Sequence, residues 1–380
     1  MTGEILEYLN RQDIANSIRV LVDQTNYLLM NDEAIPVLDR VIAPKFYADT
    51  NLLLNRIKHH RPTVGTLVSK DAEIPPSRPR MTLTEDILKD SRIGKKLQYG
   101  SETLAMLRKL NMMSGTNAIA FAEVVKEHFF GEISGLVPAI QDKARLLSTQ
   151  IALTGACTFS DPISKVEFSV SYTTVASHMP AALTGNARWN QPTNASCVPL
   201  DNLRDHAEIV YYDAAGGNDN LGRFPDYVFM NRVNLRRVAD SNQGKTAYLL
   251  KNGVGTTSQD LTTVHVPDQA IKDIIGERVN PRRPATVVEI DAMISEEQAD
   301  GTITDKFLMD VNGSTDYYFF AWDGYIERAF VPCEEDGTSG IFIVSGEQTN
   351  DIPFKTWTTA VANYMPIVLD PRQICARKVV

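Results

Sequence analysis

From residue 4 to residue 30 apolar side chains recur at three- and four-residue spacing, with Ile5, Leu6, Leu9, Ile14, Ile18, Leu21, Val22 and Leu29 standing among charged neighbours. This spacing predicts an amphipathic helix. Pro36 and Pro44 then break the pattern. Between Pro62 and Gly100 the character changes. A β-like run, TVGTLVSK, leads into the proline-rich tip DAEIPPSRPR, and RIGKKLQYG offers a second strand, so a long projecting hairpin is expected. Pro75, Pro76 and Pro79 donate no ladder hydrogen bonds, which makes the tip an irregular loop. A polar hairpin of this length buries little of itself and needs another molecule to lean on.

Helical spacing returns over residues 101–155 in SETLAMLRKL, NAIAFAEVVKEHFF and VPAIQDKARLLSTQIALTG. In the last of these Ile140, Ala144, Leu147 and Ile151 mark one face, Pro138 suits a first helical turn and Gly155 a helix end. A period-2 strand follows at Val166, Phe168, Val170 and Tyr172. The region from Leu200 to Gly340 mixes signals: helices in DNLRDHAEIVYYDAA and NRVNLRRVAD, strands in YVFMN, TVVEID, KFLMDV and YYFFAWD. The C-terminal TWTTAVANYMPIVLDPRQICARKVV reads as a strand, a proline bend and a last strand. The chain is therefore α+β.

Composition narrows the function classes. The chain has 380 residues, 43% hydrophobic and 22% charged, as in ordinary globular protein. No apolar stretch approaches the roughly 20 residues of a membrane span, and Met1-Thr2-Gly3-Glu4 starts no signal region, so a cytoplasmic origin without membrane association is expected. A net charge of -9 argues against a general nucleic-acid binder, which needs clustered Lys and Arg. Cys157, Cys197, Cys333 and Cys375 lie far apart and read as buried free thiols.

Candidate chemistry is sparse. His59 and His60, beside Lys58 and Arg61, lack the further ligands a zinc site needs. Ser177-His178 has no nucleophile elbow around it. GGNDNLG lacks the spacing and flanking elements of a phosphate loop. Glu296, Glu297, Asp300, Asp305 and Asp310 lack a calcium-loop pattern and read as a solvated surface. No catalytic, cofactor or metal site is expected, and a cytosolic enzyme of mixed fold is the distant alternative.

The order of parts resembles the major capsid proteins of lambda-type tailed phages, which share the Hong Kong 97 capsid fold. Three pieces carry the resemblance: the helix-to-strand junction from Lys143 to Val170, Trp189-Asn190 with Pro192-Thr193, and the run from Tyr325 through Phe330-Val331-Pro332 and Gly340 to Pro366, Asp370 and Pro371. The resemblance implies an N-terminal arm over residues 1–61, an extended loop over 62–100, and a peripheral domain from 101–200 and 341–380 with its spine helix at about 138–154. An axial domain would occupy 201–340. It implies a shell protein that assembles with itself into pentamers and hexamers of an icosahedral head, enclosing DNA without reading its sequence. Such a protein resides in the virion. An encapsulin-type compartment shares the fold and is the nearer alternative.

Portal, scaffold or decoration proteins are the further partners the resemblance implies. Many relatives carry a scaffolding segment that a phage protease removes; with a chain starting at Met1, a separate scaffold or none is expected. Some relatives crosslink a loop lysine to a neighbour's asparagine, and Lys70 stands where such a lysine could sit, although crosslinking is not expected. The residues assigned to assembly are Leu9, Ile14, Ile18 and Leu21 on the arm and Arg61, Lys70, Arg78 and Arg80 on the hairpin. The arm offers an apolar face, and the tip arginines offer charge-assisted pairing with acidic surfaces. Lys95, Lys96, Arg108, Lys109, Arg236 and Arg237 are further basic positions that could face neighbours or DNA.

Overall fold

The computed structural model describes residues 34–47, 53–59, 81–87, 91–99, 135–160, 167–212, 221–253, 261–298, 300, 302–311, 313–332, 340–348 and 355–380. The amphipathic segment at 4–30, the run TVGTLVSK, the proline-rich tip and the two helices expected between 101 and 134 lie outside these residues. Two sheets and one long helix organise the rest.

The first sheet is built on the long strand β14 (Lys355–Val368). On one edge it pairs antiparallel with β13 (Phe342–Gln348) and then with β12 (Ile326–Val331); on the other it pairs with β4 (Ser91–Tyr99). Strand β1 (Ile42–Phe46) adds in parallel to β12. Here the structure corrects the sequence reading. RIGKKLQYG does form a strand, yet β4 belongs to this sheet, and the hairpin pairs β2 (Leu53–His59) with β3 (Met81–Ile87). Ile93 packs against the core, and Gly94 lets the strands approach, since a Cβ there would lie 3.1 Å from Val361 Cγ1. Burial at β14 outweighs the local hairpin signal.

Helix α1 (Ala34–Val41) and helix α2 (Leu136–Thr154) lead the chain to this sheet. Pro36 does not break α1 but sits in its first turn, where a missing N–H costs no intrahelical bond. Pro44 likewise lies within β1. In α2 the expected face is buried at Ile140, Ala144, Leu147 and Ile151, Pro138 stands in the first turn, and Gly155 closes the helix. Gly155 adopts φ 74°, its N–H donating to Ile151 O at 2.8 Å, and a Cβ there would collide with Thr174 at 2.2 Å. The chain turns straight into the ribbon β5 (Ala156–Ser160) and β6 (Glu167–Ser171).

The second sheet has the order β15-β11-β7-β8. Strand β7 (Tyr227–Met230) is buried at every position and pairs in parallel with β8 (Thr286–Glu289), as its unbroken apolar run requires. Strands β11 (Tyr317–Ala321) and β15 (Cys375–Lys378) add antiparallel. Helices α3 (Pro199–Tyr212), α4 (Arg232–Asp240), α5 (Asn242–Lys251) and α6 (Asp268–Val279) surround it. The ribbon of β9 (Met293–Glu297) and β10 (Ile303–Phe307) leaves after β8. The strand expected at KFLMDV thus starts earlier and stops at Phe307, because the consecutive residues Leu308 and Met309 are both buried in a turn, which an alternating strand does not allow.

One apolar core runs through both sheets, and α2 contacts strands of each. Sheet membership crosses the division expected at residue 340 in both directions: β12 joins the first sheet and β15 the second. Pro366 sits inside β14 rather than at a bend. Its carbonyl accepts the Tyr172 hydroxyl at 2.6 Å, so its backbone polar groups point away from β12 and the absent N–H breaks no ladder bond. The bend falls at Pro371, which opens a 3-10 turn capped by the Asp370 side chain.

Where α3 meets the second sheet, Trp189 is buried and stacks on Tyr318 at 5.5 Å. His206 bonds Tyr318 Oη through Nδ1 at 3.0 Å and His178 O through Nε2 at 2.9 Å. A carbonyl only accepts, so Nε2 carries the proton and Nδ1 accepts from the tyrosine: both ring nitrogens are satisfied in the neutral form. Burial lowers the His206 pKa to about 3. A histidine lowered in the fold stabilises fully above its unfolded pKa and loses that contribution as pH falls. Stability should therefore decline by up to about 1.4 kcal/mol per pH unit below roughly pH 6.5 from this group alone. Urea melts at pH 7 and pH 5 should show the decline, and His206→Gln should flatten it; an unchanged slope in the variant would assign the acid sensitivity to other groups.

Candidate functional site

The most highly charged buried locus lies where α1, α2 and β12 meet. Residues Ile326–Val331 spell IERAFV and are buried throughout, so two charged side chains stand in an otherwise apolar strand. Strand alternation sends Glu327 and Arg328 to opposite faces. Arg328, 3% exposed in its side chain, donates Nη2 to Asp39 Oδ1 at 2.7 Å and Nε to Ile42 O at 3.0 Å. Arg145 donates Nε and Nη2 to the two oxygens of Asp39 at 3.0 and 2.7 Å, and Nη1 to Asp142 Oδ1 at 2.7 Å. One carboxylate from α1 thus holds two guanidinium groups, one of them bidentately.

The electrostatics follow from burial. Desolvation lowers the Arg328 pKa, with Asp39 opposing that loss. For Arg145 desolvation also acts against the charge, but the bonds to Asp39 and Asp142 outweigh it and the pKa rises. Burial pushes the Asp142 carboxyl upward against the pull of Arg145. On the other face of β12, Glu327 accepts from Lys45 Nζ at 2.7 Å and from the Tyr47 hydroxyl. Residues 34–47 are therefore fixed three ways: by buried Leu38, Val41 and Ile42, by the β1–β12 ladder, and by carboxylate bonds on both faces. Phe46 remains 61% exposed, stacked on Phe330 with ring centroids 5.6 Å apart.

A second ion cluster ties α2 to the β9–β10 ribbon. Glu296 accepts from Lys143 and from Lys306, the latter at 2.6 Å. Burial opposes its charge, yet the two lysines bring its pKa below the usual range. The acidic stretch is thus no uniformly solvated surface: Glu296 is partly buried and paired, whereas Asp300 and Asp305 are exposed.

These clusters bind structural elements to each other. Among the described residues no three His, Cys, Asp or Glu side chains converge to hold a metal. His178 is buried, its Nδ1 bonded to Arg372 O at 2.7 Å. Cys157, Cys197 and Cys375 are buried free thiols, as expected, and burial pushes Cys157 up to about 12. Arg236 and Arg237 pair within the chain, with Asp268 and Asp316. The assembly residues expected from sequence, Leu9, Ile14, Ile18, Leu21, Arg61, Lys70, Arg78 and Arg80, all lie outside the described residues. What sequence reasoning passed over was the Asp39–Arg145–Arg328 cluster. Its one legible trace was a charged pair inside the apolar run of β12.

Among the described residues no helix is long and apolar enough to cross a membrane. The architecture, a long helix across a β14-centred sheet with a second α/β layer inserted before the last strands, is the Hong Kong 97 capsid fold. The structure is similar to a protein assigned as the capsid protein of a prophage in E. coli CFT073, at TM-score 0.55 and 11% identity over 96% of this chain and 98% of that one. More distant are a phage-related protein of Bordetella bronchiseptica RB50, with TM-score 0.48 and 11% identity over 90% and 91% of the two chains, and the capsid of Myoviridae phage XM1, with 0.40 and 12% over 90% and 89%. Only the first is close enough to define a fold. By sequence alone, no family model and no curated protein matches.

Removing one partner of a buried ion cluster leaves an uncompensated charge. Asp39→Leu should cost about 3–5 kcal/mol in urea unfolding. The pair Asp39→Leu with Arg328→Met, which leaves Arg145 its Asp142 bond, should cost clearly less than Asp39→Leu alone. Equal losses would mean that Arg328 does not depend on Asp39.

Proposed function

We propose that this chain is the major shell protein of a tailed bacteriophage head, assembling with itself into the pentamers and hexamers of an icosahedral capsid in the virion. The observation that carries this reading is the similarity of its fold to that of the prophage capsid protein, which covers 96% of this chain and 98% of that one. The side-chain survey supports it. Charged groups in the interior serve to join elements, and Met293, Ile303 and Phe307 stand exposed together on one face of the β9–β10 ribbon, the kind of patch that contacts between copies bury. Shell building needs many modest contacts repeated by symmetry.

In this reading the first sheet with α2 is the peripheral domain and the second sheet with α3–α6 the axial domain. Strand β12 then belongs to the peripheral part and β15 to the axial part. The arm expected over residues 1–61 then gives way to the extended loop at Leu53, where the β2–β3 hairpin starts, with Leu9, Ile14, Ile18, Leu21, Arg61, Lys70, Arg78 and Arg80 contacting neighbouring copies. The net charge of -9 suits a wall that confines DNA without adhering to it. A portal, and a scaffold or decoration protein, complete the partners. An internal genome rather than a protein cargo fits the phage reading better than an encapsulin-type compartment, since the structure that defines the fold is assigned to a prophage.

Negative-stain microscopy of the purified chain, alone and co-expressed with neighbouring head genes, should show closed shells or their capsomers. A monomer or dimer under all these conditions would overturn the proposal. Deleting residues 70–80 should leave a soluble folded protein that forms no closed shells, and normal particles from that deletion would remove the hairpin from the assembly contacts.

A further inference from the structure

Two surface features stand at opposite ends of the parallel pair β7 and β8. Both strands begin at the same end, with Tyr227 opposite Thr286, and both finish together at Met230 and Glu289. Beyond the finishing end projects the β9–β10 ribbon. Residues facing each other across an antiparallel pair share a face, so Met293 with Phe307 and Ser295 with Asp305 lie on one side, joined by Ile303. The opposite side carries buried Ile294 and the Glu296–Lys306 pair, and through Glu296 it is tied to α2. The outward side therefore combines three large exposed apolar side chains, Ile303 being 71% exposed, with the exposed carboxylate Asp305, and Asp300 stands exposed in the turn that joins the two strands. Every residue of β10 is exposed, so the ribbon stands clear of its own core.

At the starting end lies a feature of opposite character. Tyr211, Phe224, Arg282 and Arg283 line an open cavity of about 180 Å³ together with Arg223, whose charge is met by Asp226 in the same lining. Its floor is aromatic, with Tyr211 stacked on Phe224 at 4.3 Å, and three arginines against one aspartate leave its rim with an excess of positive charge. Arg282 is held in place by a 2.8 Å bond to the Tyr211 hydroxyl and lies 5.1 Å over that ring, while Arg283 is exposed. A rim arginine fixed in this way loses little freedom on pairing with a carboxylate. Strand β8 alone separates the two features by about 13 Å, at 3.3 Å per residue.

We propose that the ribbon of one copy docks into the aromatic, arginine-rimmed cavity of the next, Ile303 entering the cavity while Asp300 and Asp305 meet Arg282 and Arg283. An acidic apolar projection and a basic aromatic recess at opposite ends of one sheet make a heterologous, head-to-tail contact, and this is the type that closes into rings. The occupant is a second copy of this chain, because the complementary partner for each feature is present on the chain itself. The inference rests on the shell-protein reading and specifies one contact within the capsomer.

The test uses the full chain with Cys333→Ser, under conditions where the parent assembles. Ile303→Cys with Arg283→Cys in one chain should give, on oxidation, a ladder of disulfide-linked species ending at the ring size, while each single variant gives only the monomer band. Asp305→Lys and Arg283→Glu should each lower the assembled fraction at least tenfold with an unchanged melting temperature, and the combination should restore assembly. Shells that form normally in the parent, with no ladder and no effect of the charge reversals, would overturn this contact and leave the shell function standing. A parent that never assembles would overturn both.

Discussion

Two guanidinium groups buried under the first sheet set the terms for much of this structure. A charge taken out of water is tolerated only where an opposite charge and hydrogen bonds meet it. Arg145 projects from the spine helix and Arg328 from a fully buried strand, and the carboxylate that serves both comes from Asp39 in a short helix more than a hundred residues away in sequence. Satisfying them fixes where α1 sits. That position in turn carries Ile42 onto β12 in parallel register, with its carbonyl turned to Arg328, and brings Lys45 and Tyr47 onto Glu327. A segment that could otherwise detach is thereby made part of the sheet.

The same logic extends along α2. Its apolar face lies on β14, where the Tyr364 hydroxyl donates to Ala144 O at 2.9 Å, and its Lys143 reaches the ribbon beyond the second sheet. One helix thus touches both layers and anchors a projection. Under the proposed shell function this matters because contacts between copies would transmit position only as well as the subunit holds its shape: a ribbon hung on a loose layer could not define an angle to its neighbour. Interior ion pairs and the exposed apolar ribbon are two parts of one mechanical arrangement.

Much of this was legible in the sequence wherever the signal was local. The buried face of α2 followed from the spacing of Ile140, Ala144, Leu147 and Ile151, its end from Gly155, and β7 from an unbroken apolar run. Signals failed where partners are remote. Nothing near residues 91–99 reveals that β4 pairs with β14 rather than closing the preceding hairpin, since its register is set by burial against Ala360 and Val361. Pro36 and Pro366 stand inside regular elements, at positions whose N–H has no bond to lose. The ion cluster joins residues 106 and 289 apart, and pairing at that range leaves no periodicity to read. The assembly residues drawn from the arm and hairpin belong to the part of the chain that the described fold does not reach.

The chain passes between the two sheets twice within a short distance, from β11 to β12 and from β14 to β15, and the crossings lie side by side, with Leu369 N–H donating to Tyr325 O. Neither layer is therefore encoded by one continuous stretch. An exchange of genetic material that replaced the second layer alone would have to bring Cys375–Lys378 along with the central segment and leave Ile326–Val331 behind. Replacing residues 201–340 as one block would instead set a foreign β12 between β1 and β14 and leave β15 as a mismatched edge strand of the second sheet. The two interleaved layers can therefore be exchanged only together, whereas loops and projections can be exchanged singly.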